Sequence, residues 1–167
     1  AAMNPCPCGY YNHPDKECTC KPGMVQQYLN RISGPLMDRI DLHVEVVPVS
    51  HEELASNRPV EKSAEIRKRV VAAREIQKAR FANHFNIFCN AQMTSRMVRQ
   101  YCIIDETGQQ ILKDAMDRLG LSARAYDRIL KVSRTIADLD GSAEIGIGHL
   151  SEAINFRSLD RDNWGKK

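Results

Sequence analysis

Four of the six cysteines in this chain fall in the stretch NPCPCGYYNHPDKECTC, Asn4 to Cys20, as two Cys-x-Cys pairs: Cys6 with Cys8, and Cys18 with Cys20. Thiolates are ligands for soft cations, and two thiol pairs on one segment can bring four sulfurs to a tetrahedral zinc, although Cys-x-Cys is tighter than the commoner ligand spacing. Pro5, Pro7, Gly9, NHPD and Pro22 supply turns that let the segment fold back around an ion. Such a segment has no hydrophobic core of its own, so the ion must supply its folding energy. Two other readings stay open: free thiols packed in a turn, and redox chemistry. His13 is a possible substitute for one thiolate. Cys89 and Cys102 stand apart and read as core side chains.

The choice among these readings depends on compartment. In a secreted mini-protein clustered thiols suggest disulfides, whereas in a reducing compartment they suggest metal. No run approaches the ~20 apolar residues of a membrane span. The N-terminus also lacks a charged segment followed by an apolar one. The reading is therefore cytoplasmic, with no membrane partner and with structural zinc. A chain of 167 residues, 43% hydrophobic and 27% charged, is neither disordered nor collagen-like. It suffices for one ordinary domain, or for one helical domain plus a piece of another. A net charge of +3 is compatible with an anionic partner such as nucleotide or DNA without demanding one.

The elements that must position these groups change character along the chain. Residues 1–3 are small or apolar and read as the end of a buried strand that begins upstream. PGMVQQYLNRIS reads as a short helix, with Pro22 near its start. In IDLHVEVVPV, Ile40, Leu42, Val44 and Val46 alternate with Asp41, His43 and Glu45, the pattern of a β-strand with one polar face. Residues 50–62 are polar and broken by Asn57 and Pro59, and read as a linker. Beyond it everything reads as helix. EKSAEIRKRVVAAREIQKARFANHF sets Ile66, Val70, Ala73 and Ile76 on one side and a dense basic set on the other. That basic face is either a solvated helix surface or a contact for nucleic acid or a neighbouring subunit. Thr94 and Ser122 read as N-caps, and Gly120 sits where a glycine after a helix belongs. GHLSEAINFR reads as a last short helix.

Catalytic signatures are informative by what is missing. No G-x-x-x-x-G-K-[ST] phosphate loop occurs in the chain. CIIDE, Cys102 to Glu106, imitates the apolar strand ending in Asp-Glu that holds magnesium in ATPases, but it lies between helical segments with no phosphate loop to serve. Its carboxylates suit a helix N-terminus instead. No Ser/His/Asp or H-E-x-x-H constellation is present.

Three motifs in order, AAMNPCPCG, RISGPLMDRIDLHVEV and LGLSARAYDRILKVSRTIADLDG followed by HLSEAINFR, resemble the C-terminal part of the magnesium-chelatase-like AAA+ ATPases of bacteria. Within that family they are similar to the competence-associated branch implicated in DNA branch migration. The resemblance covers nearly the whole chain. It implies a mainly α fold: a helical AAA+ lid domain over 63–167, preceded over 1–49 by the C-terminal remnant (loop, helix, β-strand) of an αβα ATPase core carrying the Cys-rich insert. It also implies that the phosphate loop and the Asp-Glu motif belong to a longer parent, upstream of this stretch. On that expectation the fragment alone is no enzyme.

Residue by residue, Asn4 resembles sensor 1, which orients the water attacking the γ-phosphate. Its alternative is an ordinary Asn-Pro turn. Arg39 resembles the arginine finger presented to the nucleotide of the adjacent subunit, and its alternative is an ion pair with Asp38 or Asp41. Arg124 in SARAYDR resembles sensor 2, and Arg128 and Arg134 on the same helix could be mistaken for it. Asn4 and Arg124 are thus the expected nucleotide-contacting pair, serving ATP and Mg²⁺ in the intact parent. The expected partners are further copies of the parent in a hexameric ring, and DNA, as in a helicase. A weak nucleic-acid contact is expected from Arg67, Lys68, Arg69, Arg74, Lys78 and Arg80. The cysteine-rich insert favours DNA remodelling over tetrapyrrole metallation. Two alternatives remain: a non-catalytic zinc-bearing protein-interaction module, or the ATPase subunit of a metal chelatase.

Overall fold

The computed structural model describes residues 1–49, 55 and 60–157. The helices are α1 (Met24–Leu29), α2 (Gly34–Met37), α3 (Ser63–Arg80), α4 (Ser95–Tyr101), α5 (Glu106–Leu119), α6 (Ala123–Leu139) and α7 (Ile147–Asn155), with a 3-10 turn at Asn90–Gln92 before α4. No strand occurs among the described residues, and the fold is mainly helical, as the sequence predicts. No helix among them is long and apolar enough to cross a membrane. Of the linker expected at 50–62, residues 50–54 and 56–59 lie outside the described residues.

The helix boundaries follow their caps. Thr94 accepts from the Met97 N–H at the start of α4, Asp105 from Gly108 at the start of α5, and Ser122 from Ala125 at the start of α6. Each side chain satisfies a backbone donor that the helix leaves without a partner, typically worth ~1 kcal/mol. Asp105 therefore does at CIIDE what its position suggests: it caps a helix. Gly120 closes α5 at φ 60°, a left-handed conformation that costs a glycine little.

Helix α6 is the axis of the bundle. It packs on α3, α4, α7 and the 3-10 turn, and α7 in turn packs on α5. The core joins Phe81, Val98, Leu112, Ile129, Leu130, Leu150 and Ile154, each fully buried aliphatic side chain contributing ~1.5–3 kcal/mol. Phe81 also meets Tyr101 edge to face at 5.6 Å.

Beside this apolar core lies a polar one. The Asp138 carboxylate is wholly buried. It accepts from the Arg80 guanidinium (Nη1 to Oδ2, 2.8 Å), from the Asn90 amide (2.7 Å) and from Arg134 Nε (3.1 Å). Arg134 spends its other nitrogens on the carbonyls of Ala143 (2.9 Å) and Ser142 (2.6 Å). One carboxylate thus joins the end of α3, the 3-10 turn, α6 and the loop into α7. Burial opposes ionisation of Asp138. The hydrogen bonds from Arg80 and Asn90 and the charges of Arg80 and Arg134 outweigh it, holding the carboxyl below its ordinary value of 3.8.

Two expectations about exposure are corrected. Along α3 only Ala73 of the apolar set is buried, and Gln77 is buried with it, while Ile66, Val70 and Ile76 face solvent. The buried residues of α3, Ala73 and Gln77, lie in its C-terminal half, and α3 packs on α6. The expected strand does not form over 41–49, where no regular element is present. Val44, Val46, Val47 and Val49 are exposed, and His43, assigned to the polar face, is the buried residue. Alternation describes what a segment buries once it has a neighbouring strand, and there is none among the described residues. The His43 N–H instead donates to the Phe156 carbonyl at the end of α7 (2.8 Å). Residues 1–3 are likewise exposed and irregular rather than part of a buried strand.

Removing the charge from Asp138 tests the polar core. Asp138→Asn leaves Arg80 and Arg134 buried without a counter-charge, and the expected loss is ~3–5 kcal/mol in denaturant unfolding. Because the folded pKa lies below the unfolded one, the Asp138 contribution is complete above ordinary carboxylate pH and is lost as pH falls through the folded value. The variant should therefore lose part of the wild type's acid sensitivity below about pH 4, a range set by the ordinary carboxyl value. Equal stability of both proteins at pH 7 would contradict this role.

Candidate functional site

The cysteine loop is built from turns. A Gly9 N–H to Cys6 carbonyl bond (3.0 Å) closes the first, with Gly9 at φ 84°, a conformation that side-chain-bearing residues rarely adopt. The four sulfurs converge: Cys6 and Cys8 are 3.3 Å apart, Cys8 and Cys18 3.5 Å, Cys6 and Cys18 3.8 Å, and Cys20 completes a group lying within 4.8 Å. Sulfurs 2.3 Å from one tetrahedral zinc stand ~3.8 Å from each other, so this donor set fits that ion in number, chemistry and spacing. Cys6 is fully buried and the other three partly so.

The electrostatics of the four thiols differ from one to the next. The Tyr10 N–H donates to Cys8 and, against the cost of desolvation and with help from the Cys6 thiol, brings it down to about 5. Cys18 and Cys20 each receive a backbone N–H, from Cys20 and Cys8 respectively, which favours the thiolate. Desolvation and the neighbouring sulfurs overcome it, raising Cys18 and pushing Cys20 up to about 12. One negative charge suits four crowded sulfurs; further charges need a cation among them.

His13 is not part of this group. Its Nδ1 accepts from the N–H groups of Asp15 (3.0 Å) and Lys16 (3.1 Å), closing the NHPD turn, and its ring stands edge-on to Tyr10 at 5.7 Å. Cys102 is a core side chain as expected, its thiol pushed up to about 12 by burial. Cys89 is half-buried and donates to Gln92 Oε1 at 3.5 Å.

The three residues expected at a nucleotide lie on different elements, and no hydrogen bond or ion pair joins them among the described residues. Asn4 is exposed at the entry to the cysteine loop, its Nδ2 3.9 Å from where a Gly9 side chain would begin. Arg39 follows α2 and is exposed. Its Nη1 donates to the Pro35 carbonyl (2.6 Å). Asp41, one of the two carboxylates offered as its alternative partner, pairs with Arg128, and Asp38, the other, is buried. Arg124 is exposed in the first turn of α6. Of its two competitors, Arg128 is committed to Asp41 and Arg134 to the buried network, so Arg124 is the arginine of this group left to meet a ligand.

Several cations of α3 have partners close by in the chain. Lys68 pairs with Glu65 at 3.0 Å, Lys78 with Glu75 at 3.4 Å, Arg69 with Glu61, and Arg74 donates to Gln77 Oε1 at 3.4 Å. Exposed pairs of this kind are weak and exchangeable. Arg80 is the correction: with 14% of its side chain exposed, it is a core cation of the Asp138 network and offers nothing to an outside polyanion.

A loop whose four cysteine sulfurs converge, followed by a capped bundle of helices, is the arrangement expected of a helical lid domain and the segment before it. Residues 60–157 match the family model described as magnesium chelatase, subunit ChlI C-terminal, and residues 1–54 match that described as magnesium chelatase, subunit ChlI. The chain belongs to this family. It is 41% identical over 163 residues to competence protein ComM of Haemophilus influenzae (96% of this chain, 30% of that protein) and 42% identical over 163 residues to YifB of Escherichia coli (96% and 31%). It is 33% identical over 156 residues to Rv2897c of Mycobacterium tuberculosis (93% and 30%). The chain thus spans about 30% of the length of these relatives.

Sequence reasoning missed Arg157, the last residue described. It is 1% exposed and donates to the carbonyls of Ile40 and Met37, the latter at 3.4 Å. No periodicity marks a residue whose partners lie so far back in the chain.

Thiol accounting tests the metal centre. Protein purified without chelator should carry about one zinc per chain. Its native form should expose Cys89 alone to a bulky thiol reagent, whereas denaturation with chelator should release all six thiols. Metal-free protein with five thiols reacting rapidly in the native state would contradict the assignment.

Proposed function

We propose that this chain is the C-terminal part of a magnesium-chelatase-like ATPase, in which it supplies charged and polar side chains to nucleotide held mainly by residues of the longer parent. The observation that carries the reading is the division of labour along α6: Arg134 and Arg128 are consumed by intramolecular partners, while Arg124 stands exposed at the mouth of the helix. A guanidinium there presents a fixed charge and a planar set of donors, suited to phosphate oxygens. Arg124 is the sensor-2 residue in this reading, contacting its own subunit's nucleotide. Arg39 is the arginine finger, reaching the neighbouring subunit's nucleotide once it leaves the Pro35 carbonyl. Asn4 is sensor 1, orienting the attacking water from the edge of the cysteine loop.

ATP and Mg²⁺ are the expected cofactors of the parent. Zinc in the Cys6, Cys8, Cys18 and Cys20 cluster has a structural part, fixing the loop that carries Asn4. The core remnant ends near residue 49 and the lid begins near residue 63, a division supported by two family matches that meet between 54 and 60. Similarity to a competence protein supports cytoplasmic work on DNA by a ring of subunits, and the solvent-facing Arg67, Lys68, Arg69, Arg74 and Lys78 would then make a weak, salt-sensitive contact with its phosphates.

Single substitutions in the full-length parent separate the two arginines. Arg39→Ala should leave ATP affinity within about twofold of wild type while lowering kcat ~10³-fold or more, since its charge is needed in the transition state. Arg124→Ala should weaken ATP binding and lower kcat together, because a lid residue acts on bound ground state and transition state alike. Full activity of both variants would overturn the reading and favour a zinc-bearing interaction module.

A further inference from the structure

The segment carrying Arg39 is bound to the lid at three points. Arg157, buried at the end of α7, donates to the Met37 and Ile40 carbonyls, which bracket Asp38 and Arg39. The next residue pair along the same path is the backbone bond from the His43 N–H to the Phe156 carbonyl, 2.8 Å. The third is the ion pair of Asp41, two residues after Arg39, with Arg128, one helical turn after Arg124 on α6. Asp38 is itself buried, so the turn that presents Arg39 is held from its inner side while Arg39 faces solvent.

We propose that Arg157 is a positioning residue for Arg39, and that with the Asp41–Arg128 pair it makes the Arg39 turn and the Arg124 helix a single mechanical unit. The physical reason is the guanidinium fork. The Met37 carbonyl ends a four-residue helix and accepts the Ile40 N–H (3.1 Å), and the Ile40 carbonyl lies three residues further on; a planar guanidinium presents its donors to both carbonyls in one fixed fork, which a freely rotating ammonium lacks. A four-residue helix has little stability of its own, so its orientation is set by what it docks against. Movement of the lid about Arg124 is then passed to Arg39, and lid closure over one nucleotide adjusts the arginine offered to the next. This inference rests on the reading of Arg39 and Arg124 given above, and it adds the residue through which the two communicate.

The test has one arm for the tie and one for its consequence. In this chain, hydrogen exchange at the His43 amide reports the docking. Arg157→Lys keeps the charge but loses the fork, and should speed exchange at residues 40–43 by at least about tenfold while leaving α5 and α6 unchanged. A general loss of fold would accelerate the whole bundle. Should that variant not fold, Asp41→Arg breaks the exposed tie, and the swapped pair Asp41→Arg with Arg128→Asp should restore protection. In the full-length parent, Arg157→Lys should lower kcat by about 10- to 100-fold with KM for ATP unchanged, the scale of a misplaced catalytic group. Combined with Arg39→Ala it should cost nothing further, because both act through one guanidinium. Unchanged exchange at residues 40–43 in both variants overturns the tie. Additive losses of kcat overturn the positioning role while leaving Arg39 in place. An Arg39→Ala parent with normal kcat removes the reading beneath it, and with it the proposal.

Discussion

The buried carboxylate of Asp138 is the constraint on which the helical domain depends. Three donors from separate parts of the chain, Arg80, Asn90 and Arg134, end on its two oxygens. An ion pair taken out of water is worth having only when its geometry is good and its remaining donors are satisfied. Here they are: Arg134 uses its other nitrogens on two carbonyls, and Arg80 also reaches the Asn90 carbonyl oxygen at 2.8 Å. An apolar core can slide while keeping most of its burial. A carboxylate shared by two guanidinium groups and an amide has one arrangement, and it fixes where α3 ends and how α7 departs from α6. The sites follow from that registration, because α6 carries Arg124 and Arg128 and Arg157 lies two residues beyond the end of α7.

A second organising principle is that the arginines are sorted by what they spend. Arg80, Arg134 and Arg157 are buried or nearly so and hold the fold together. Arg128 ties α6 to Asp41, and Arg39 and Arg124 face solvent. Sorting by exposure turns a run of similar residues in SARAYDRILKVSRT into different jobs. The same sorting removes Arg80 from any polyanion surface and leaves the rest of α3 as exposed cations partly screened by neighbouring acids.

Much of this was legible in the sequence, for physical reasons. Thr94, Ser122 and Gly120 announce helix ends because caps answer to local backbone needs. The Cys-x-Cys pairs announce a common centre because the turns between them leave the thiols few other places to go, and the four sulfurs do converge. The rest depended on distant partners. Alternation in IDLHVEV signals a strand only when another strand is present, and the segment docks on the end of α7 instead, burying His43. The basic character of α3 conceals Arg80 because the residue that neutralises it, Asp138, lies in another helix. Arg157 is silent in the sequence for the same reason. The family resemblance, by contrast, rested on motif order across nearly the whole chain, and the matched family agrees with it.

The central claim is that Arg39 acts across a subunit boundary while Arg124 acts within one. Mixing decides it most directly: the Arg39→Ala parent is combined with a parent disabled at its own phosphate loop, under conditions in which subunits exchange, and ATP hydrolysis is measured against mixing ratio. Some mixed interfaces then pair an intact phosphate loop with an intact finger, so the account predicts activity well above the sum of the two separate variants, with a maximum at intermediate ratios. Activity equal to that sum at every ratio, in rings shown to have exchanged, would contradict it.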